Sequence, residues 1–443
     1  MWKVHGLVLV AALLAPLTAR AEVAAVTLRD AIRLALARNH LVVAAGSEYS
    51  ASKAGAAASH SRYFPRVTLE ETGMLTTSPT KAFMARLNEG RFSLAGNLNH
   101  PPATGDFQTT LLLTQPVFDP AIGVGIAIAG KETERADFAL QRRLEDIALK
   151  TAVVYLNLHK ARAQAVVAAQ AVRDVREHQR LAAARSAAGL GLKSDELLAR
   201  TALAEQEQQA IRADNAVTRA MLQLSAVTGS DEGDMLDAVG AYPVPAITAD
   251  RKTLETLALE NRPELKEMAA GVEKAALGVK SAQSAYYPTL HGMASYQMND
   301  RDVPFGRNND AWLVGATLRW EIFDGNNRGS LKEKARAEKS AADEYLASLR
   351  QDVRFQVADN WLLKEEADKR LEVARHAREA AAEGVRLLAR RYENSVALMV
   401  EVLDAQTVLN RSRASVAETE AEAARASLQL LHASGMLLKE ILK

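Results

Sequence analysis

The sequence predicts a mostly α-helical protein with a membrane β-barrel, built from two copies of one unit. A turn sequence near residue 395 interrupts a long helical pattern, and a weaker copy of it occurs near residue 189. No proline occurs from Ala121 to Tyr242 or from Phe305 to Lys443, as is typical of long helices. In each half, apolar and polar residues also alternate over short stretches, which indicates strands with two different faces.

Residues 1–21 predict a secretory signal peptide. Lys3 precedes an apolar run from Leu7 to Leu17, and the segment ends in the small-residue sequence Ala19-Arg20-Ala21. The sequence contains no cysteine, so we expect no disulfide, no thiol nucleophile and no lipid anchor on cysteine. The formal net charge is +1, which gives no reason to expect nucleic acid as a partner. Beyond the signal, no apolar run is long enough to span a membrane as a helix.

Each half opens with an amphipathic helix, predicted at Thr27 to Asn39 and at Leu254 to Asn261. Both helices continue through an alanine-rich segment to an aromatic-proline sequence, Tyr63-Phe64-Pro65 or Tyr286-Tyr287-Pro288. Proline lacks a backbone donor and disfavours helical conformation in the residue before it. Both halves are therefore predicted to leave the helix at the same point.

A strand pair follows each stop, at 66–118 in the first half and at 289–323 in the second. The clearest strand runs from Trp312 to Phe323, with Gly315, Thr317, Arg319 and Glu321 on the face opposite its apolar side chains. Apolar residues with aromatics near both ends are typical of a lipid-facing strand. The residues predicted to face lipid are Trp312, Val314, Leu318 and Trp320.

The segments between the paired strands, 77–106 and 300–310, are rich in Gly, Pro, Asn and Asp and predict surface loops. Four strands cannot close a membrane barrel, because the smallest such barrels have about eight. An open sheet edge in lipid would leave backbone groups unpaired. The barrel is therefore predicted to be shared between chains.

Long helical hairpins are predicted after each strand pair. Apolar residues repeat at alternating spacings of four and three, which is typical of a coiled-coil seam. In the first half they are Leu140, Leu144, Ile147, Thr151, Val154 and Leu158, and nearly the same spacing is found in the second half at Leu346, Leu349, Val353, Val357 and Trp361. The predicted division is a first repeat at 22–230 with its turn near 189, a linker at 231–250, and a second repeat at 251–443 with its turn near 395.

These features resemble the TolC family of outer-membrane efflux proteins. The residues that carry the resemblance are the two aromatic-proline stops, the turns Phe118-Asp119 and Phe323-Asp324, and Arg391-Tyr392 followed by Val402-Leu403-Asp404-Ala405-Gln406. The resemblance covers essentially the whole chain after the signal. It implies a homotrimer in the outer membrane of a Gram-negative type of cell, extending into the periplasm. Each chain would give four strands to a twelve-stranded barrel and two hairpins to a periplasmic α-barrel.

The function implied by the resemblance is that of a passive exit duct in a tripartite efflux or type I secretion system. Its implied partners are a periplasmic adaptor protein, an inner-membrane pump and outer-membrane lipid. The alternative is a soluble periplasmic coiled-coil adaptor or scaffold, which would also use long hairpins. The alternating strand with Trp312 and Trp320 argues against that alternative.

The resemblance places Asp195, Tyr392, Glu401 and Asp404 at the pore or gate. In a trimer the acids would form rings that favour cations and raise one another's pKa, although they are equally interpretable as ordinary solvated charges. Tyr392 and Asp195 would form a latch through a phenol-carboxylate hydrogen bond, unless Tyr392 merely covers a helix end. Ala397 stands where some family members have a basic residue, so this latch would lack that ion pair.

The turn residues form the predicted contact surface for an adaptor, and they are Gly189, Leu190, Gly191, Ser395 and Val396. Gly189 is also interpretable as a helix C-cap in a left-handed conformation, and both roles are compatible. Ser395 replaces the usual glycine, which leaves the conformation of the second turn open.

No catalytic residues, metal site or cofactor are predicted. The sequence has no nucleophile elbow, phosphate loop or paired-acid motif. Its histidines show no ligand spacing with one another or with carboxylates. An enzyme is therefore not expected.

Overall fold

A computed structural model describes residues 24–230, 235–240 and 244–442. The predicted signal peptide, residues 1–21, lies outside the described residues, as does part of the predicted linker. The chain divides into two compact units. Of the described residues, unit one comprises those up to Val43, those within Leu144–Ala258 and those from Gln356 onwards, and unit two comprises Ala44–Arg143 and Leu259–Phe355.

The described residues of both halves share a core order of two helices, two strands, a very long helix and a shorter one, with one more helix between the strands of the first half and another at the end of the second. The strands are β1 Ala24–Val26, β2 Arg66–Thr76, β3 Thr104–Phe118, β4 Leu236–Ala238, β5 Thr289–Asp300 and β6 Asn309–Arg319. The helices are α1 Leu28–Arg38, α2 His40–His60, α3 Pro79–Asn88, α4 Pro120–Ala187, α5 Lys193–Thr228, α6 Arg251–Asn261, α7 Pro263–Ser284, α8 Asn327–Glu393, α9 Met399–Ala433 and α10 Leu437–Ile441.

The long helices of the two halves have almost equal lengths. Helix α4 has 68 residues and α8 has 67, while α5 has 36 and α9 has 35. This agreement is what a duplicated chain would produce, although the predicted domain boundaries themselves stay a prediction.

The core of unit one forms around α1. Thr27 caps this helix, because its hydroxyl oxygen accepts a hydrogen bond from the Asp30 amide at 3.2 Å. Its apolar face contributes Ile32 to a cluster that also contains Tyr155 of α4 and Leu224 of α5, all three fully buried. Next to this cluster, β1 pairs in parallel with β4, so part of the predicted linker forms a strand.

Unit two contains an antiparallel sheet in the order β2-β3-β5-β6. Residues directly opposite one another on neighbouring strands point to the same face of a sheet. One such row is apolar and consists of Leu69, Leu111, Tyr296 and Trp312. The next row, on the other face, consists of Glu70, Thr110, Gln297 and Ala311. In these two rows, the alternation predicted within single strands coincides across all four.

The predicted loop at 77–106 is wrong in part, because it contains helix α3 and the start of β3. Pro79 suits the first turn of a helix, and Ala82 and Ala85 are buried. The side-chain amide of Asn309 donates to the Asn88 carbonyl at 2.9 Å, which fixes the end of α3 at the sheet. The Gly, Pro and Asn content of residues 77–106 could not indicate this helix, because Asn309 lies 221 residues away from Asn88 in the sequence.

The predicted strand that ran to Phe323 ends earlier, at Arg319, so Trp320 lies just beyond it. The Arg328 guanidinium donates to the carbonyls of Glu321 at 2.7 Å and Ile322 at 3.0 Å. These carbonyls are therefore bonded to the start of α8 instead of to a neighbouring strand. Among the described residues, no helix combines the length and apolar character needed to cross a membrane.

Gly229 ends α5 in a left-handed conformation, with φ of +70°. A Cβ added there would lie 2.7 Å from the Arg38 carbonyl oxygen. We expect Gly229→Ala to lower the free energy of unfolding by at least about 1–2 kcal/mol, the ordinary cost of a left-handed alanine. Denaturant unfolding of the purified protein measures this change.

The matched control is Gly46→Ala, because Gly46 lies within α2 and a Cβ there meets nothing within 4 Å. Alanine favours a helix over glycine, so this variant should be as stable as the wild type or more stable. Equal losses in both variants would contradict the steric explanation.

Candidate functional site

The candidate site comprises the two turns that connect the arms of the helical hairpins in unit one. The first turn lies between Ala187, where α4 ends, and Lys193, where α5 begins. The second lies between Glu393, where α8 ends, and Met399, where α9 begins. Both contain residues that the sequence predicted at the gate or at the adaptor surface.

The two turns have the same backbone geometry. The Leu190 amide donates to the Arg185 carbonyl at 2.9 Å, and the Val396 amide donates to the Arg391 carbonyl at 2.8 Å. These bonds join residues five apart, as in the Schellman motif that ends many helices. The turns are therefore equivalent in conformation as well as in position.

Ser395 adopts the conformation that glycine provides in the first turn. Its φ is +61°, and that of Gly189 is +73°. A residue with a side chain pays about 1–2 kcal/mol for this conformation, so another contact is needed to stabilise it. The hydroxyl oxygen of Ser395 accepts a hydrogen bond from the Arg185 guanidinium at 2.7 Å.

Glu401, a predicted pore residue, caps the start of α9. The Leu398 amide donates to Oε2 of Glu401 at 2.7 Å, which satisfies a backbone group that the helix leaves free. The carboxylate nevertheless remains exposed. Asp404, one turn further along α9, is also exposed. Charge at both positions is therefore available to an ion or to another chain.

Tyr392 lies at the centre of an apolar cluster that contains residues of all four hairpin helices. It is 4% exposed and packs with Ala182, Ala199, Met399 and Val402. Ala397, at the position where some family members have a basic residue, packs against the same cluster. The cluster joins the two hairpins immediately behind their turns.

The Tyr392 hydroxyl is buried and forms no hydrogen bond within the described residues. Burial raises the pKa of Tyr392, the nearby Asp195 carboxylate raises it further, and Arg185 opposes both effects. The structure therefore brings Tyr392 and Asp195 close enough to interact electrostatically. Their predicted hydrogen bond is absent from the described part of the single chain, and their role as a latch stays a prediction.

Two polar contacts between the hairpins were not predicted. The first is made by Arg185 of α4, which donates hydrogen bonds to acceptors in both turns. Deeper in the hairpins, Asp174 accepts hydrogen bonds from Gln406 at 3.1 Å and from Arg413 at 2.8 Å, both on α9. Gln406 is 2% exposed. Sequence reasoning used Gln406 only as a family marker, because its partner lies on a different repeat.

The other predicted site residues lie on the surface of the single chain. At the turns, Leu190 is 71% exposed and Val396 is 64% exposed, while Gly191 is partly buried. The four residues predicted to face lipid, Trp312, Val314, Leu318 and Trp320, are all more than half exposed. Exposure of large apolar side chains at these two places indicates surfaces that another molecule covers.

Comparison with known proteins identifies the family. The family described as "Outer membrane efflux protein" matches residues 31–230 and 254–436, most of the chain. The chain belongs to this family. The predicted family is therefore confirmed, and so is the predicted class of function, efflux at the outer membrane.

Individual relatives agree with this assignment. Protein CyaE of Bordetella pertussis is 28% identical over 184 residues, which are 41% of this chain and 38% of CyaE. This match therefore spans less than half the length of either protein.

Solved structures of outer-membrane channels have the same fold. CusC has a TM-score of 0.80 at 16% identity, with 92% of each chain covered. VceC of Vibrio cholerae has a TM-score of 0.76 at 18% identity, covering 92% of this chain and 96% of VceC. The open state of MtrE of Neisseria gonorrhoeae has a TM-score of 0.77 at 16% identity, covering 94% and 90%. These likenesses confirm the predicted fold class.

Met399 is fully buried in the Tyr392 cluster, whereas its neighbour Val400 is 43% exposed. We expect Met399→Ala to destabilise the hairpin ends by about 2–5 kcal/mol, because truncation leaves a cavity. Limited proteolysis at the second turn should then be faster, since the turn opens more often.

Val400→Ala provides the control and should be cleaved at the rate of the wild type. If both variants were cleaved equally fast, the Tyr392 cluster would not be what holds the second turn in place.

Proposed function

We propose that the chain is one protomer of a homotrimeric exit duct that passes molecules from the periplasm through the outer membrane. The observation that carries the proposal is the sheet of unit two, whose apolar and polar faces coincide across four strands. A soluble scaffold has no use for an apolar sheet face that ends in an exposed Trp312. Membership of an outer membrane efflux family supports the same conclusion.

Three chains are needed because the sheet has two open edges. Within the described residues, β2 and β6 each pair on one side only. In lipid, backbone groups on an open edge would have no partner. Pairing of β6 of one chain with β2 of the next, repeated three times, closes twelve strands. The row containing Leu69 and Trp312 would then face lipid, and the row containing Glu70 and Gln297 would line the lumen.

The proposed partners are a periplasmic adaptor protein and an inner-membrane pump, which would supply the energy. The turns support this part of the proposal, because Leu190 and Val396 expose apolar side chains at equivalent places in the two repeats. Each chain would therefore offer an adaptor two similar apolar binding sites, one at each hairpin turn. The duct itself performs no chemistry in this proposal.

We propose that Asp195, Glu401 and Asp404 form acidic rings at the periplasmic entrance of the trimer. Each residue would occur three times around one axis, and rings of carboxylates favour cations. The exposed positions of Glu401 and Asp404 are compatible with such rings. Asp195 and Tyr392 would restrain the same entrance as the predicted latch.

The sheet provides a direct test of the duct. Val314 lies on the apolar face in the middle of β6, and its neighbour Leu313 lies on the other face. We expect Val314→Lys to reduce the amount of trimer in the outer-membrane fraction, because lysine facing the centre of the membrane costs about 2–4 kcal/mol. Fractionation and planar-bilayer recording of the purified protein measure insertion and conduction.

Leu313→Lys is the matched control, since a lysine on the polar face meets water. It should insert and conduct. The duct would be ruled out if the wild type stayed in the soluble periplasmic fraction, or if the purified trimer gave no channels.

The acidic rings are tested by removing charge without removing the helix cap. Glutamine can accept the hydrogen bond of the Leu398 amide as glutamate does, so Glu401→Gln keeps the start of α9. Glu401→Gln combined with Asp404→Asn should weaken the preference for cations, seen as a reversal potential closer to zero in a salt gradient.

Glu418→Gln is the control, because it removes one charge from α9 further from the turn. It should leave the reversal potential nearly unchanged. An unchanged preference in the Glu401 and Asp404 double variant would mean that these carboxylates are ordinary solvated charges.

A further inference from the structure

Arg185 contacts both hairpin turns with one guanidinium group. Its Nη1 donates to the Glu393 carbonyl at 3.1 Å, and its Nη2 donates to the Ser395 hydroxyl at 2.7 Å, both in the second turn. Nη2 also donates to the Leu190 carbonyl in the first turn at 3.3 Å. A planar guanidinium presents several donors in fixed directions, which suits a group that must join separate acceptors.

The side chain of Arg185 is held in place from two sides. Its guanidinium carbon lies 5.1 Å from the centre of the Tyr392 ring, within the range of a cation–π interaction. On the other side, a Cβ added to Gly191 would lie 3.1 Å from the Cβ of Arg185. Glycine at this position therefore leaves room for the arginine to lie against its own turn.

The second repeat contains the same arginine without the same contacts. Arg391 occupies the equivalent position, and its carbonyl accepts the equivalent turn hydrogen bond. Among the described residues, however, its side chain forms no hydrogen bond or ion pair, and it is exposed. Only one arginine of the repeated pair therefore joins the hairpins.

We infer that Arg185 is a positioning residue that holds the two turns of one chain together, so that they move as one body. The contact also explains why Ser395 occupies a left-handed position that glycine would adopt more easily, since its hydroxyl is one of the acceptors. The consequence for opening of the duct rests on the function proposed above, whereas the joining of the turns does not.

Distances between the turns test the joining directly. The chain has no cysteine, so Leu190→Cys and Val396→Cys allow a spin label on each turn. Both side chains are exposed, which leaves room for the labels. Assembly with an excess of cysteine-free chain limits most trimers to one labelled copy, and pulsed electron resonance then measures the distance distribution within that copy.

We expect one narrow distance population in the otherwise unchanged chain. Arg185→Ala should increase the fraction of molecules with separated turns about tenfold, because hydrogen bonds from a charged donor are lost. Arg185→Lys should lie between the two, since an ammonium group cannot serve the same separated acceptors. Thermal unfolding of each trimer distinguishes this local effect from general loss of fold.

Arg391→Ala is the matched control, and it should keep the narrow distribution. An unchanged distribution in Arg185→Ala would overturn the inference. An equal broadening in Arg391→Ala would overturn it too, because the cause would then be the loss of positive charge at the turns.

Planar-bilayer recording of the same variants tests the consequence for the duct. If the turns restrain the entrance together, Arg185→Ala should show more frequent changes of conductance than Arg391→Ala. If the wild type gives no channels at all, the proposed duct fails, and the spin-label distances still decide whether Arg185 joins the turns.

Discussion

The pairing register of the four-stranded sheet is the constraint on which the rest of the structure depends. Side chains alternate along a strand, so a shift of one residue would move every side chain to the opposite face. The register places Leu111 beside Tyr296 and Thr110 beside Gln297, and so gives one apolar and one polar row across the middle of the sheet. Without that register, these rows would mix apolar and polar side chains, and the sheet would lose the row that we propose faces lipid.

Much of this arrangement could be predicted because strands and helices each have a characteristic spacing of apolar residues along the sequence. Successive side chains of a strand point to opposite faces, so Trp312 and Val314 could be placed on one face from the sequence of β6 alone. Proline-free stretches with coiled-coil spacing likewise indicate long helices before any contact is known. The end of β6 could not be found in this way, because Arg328 of the next helix bonds to the carbonyls of Glu321 and Ile322, just beyond the strand.

The conformation of the first turn could likewise be predicted from the sequence, whereas that of the second turn could not. Gly189 has no side chain and adopts a left-handed conformation easily, so its role as a helix cap could be predicted. Ser395 gives no such sign, and its conformation depends on an arginine in the other repeat. Glu401 was singled out for its charge, although its carboxylate also stabilises the start of α9. Contacts between the repeats involve residues far apart in the chain, and no short pattern in the sequence records them.

The pairing of β1 with β4 has a consequence for the order in which the chain folds. Ala24 lies beside Leu236, and the Arg29 guanidinium donates to the Ile441 carbonyl at 3.2 Å near the other end of the chain. Helix α1 therefore contacts a residue that lies 412 positions further along the chain. Its buried face, which includes Leu28 and Ile32, lies in one cluster with Tyr155 and with the distant Leu437. Contacts this distant in sequence slow folding and prolong the exposure of apolar surface, so we expect α1 to complete its packing late in folding.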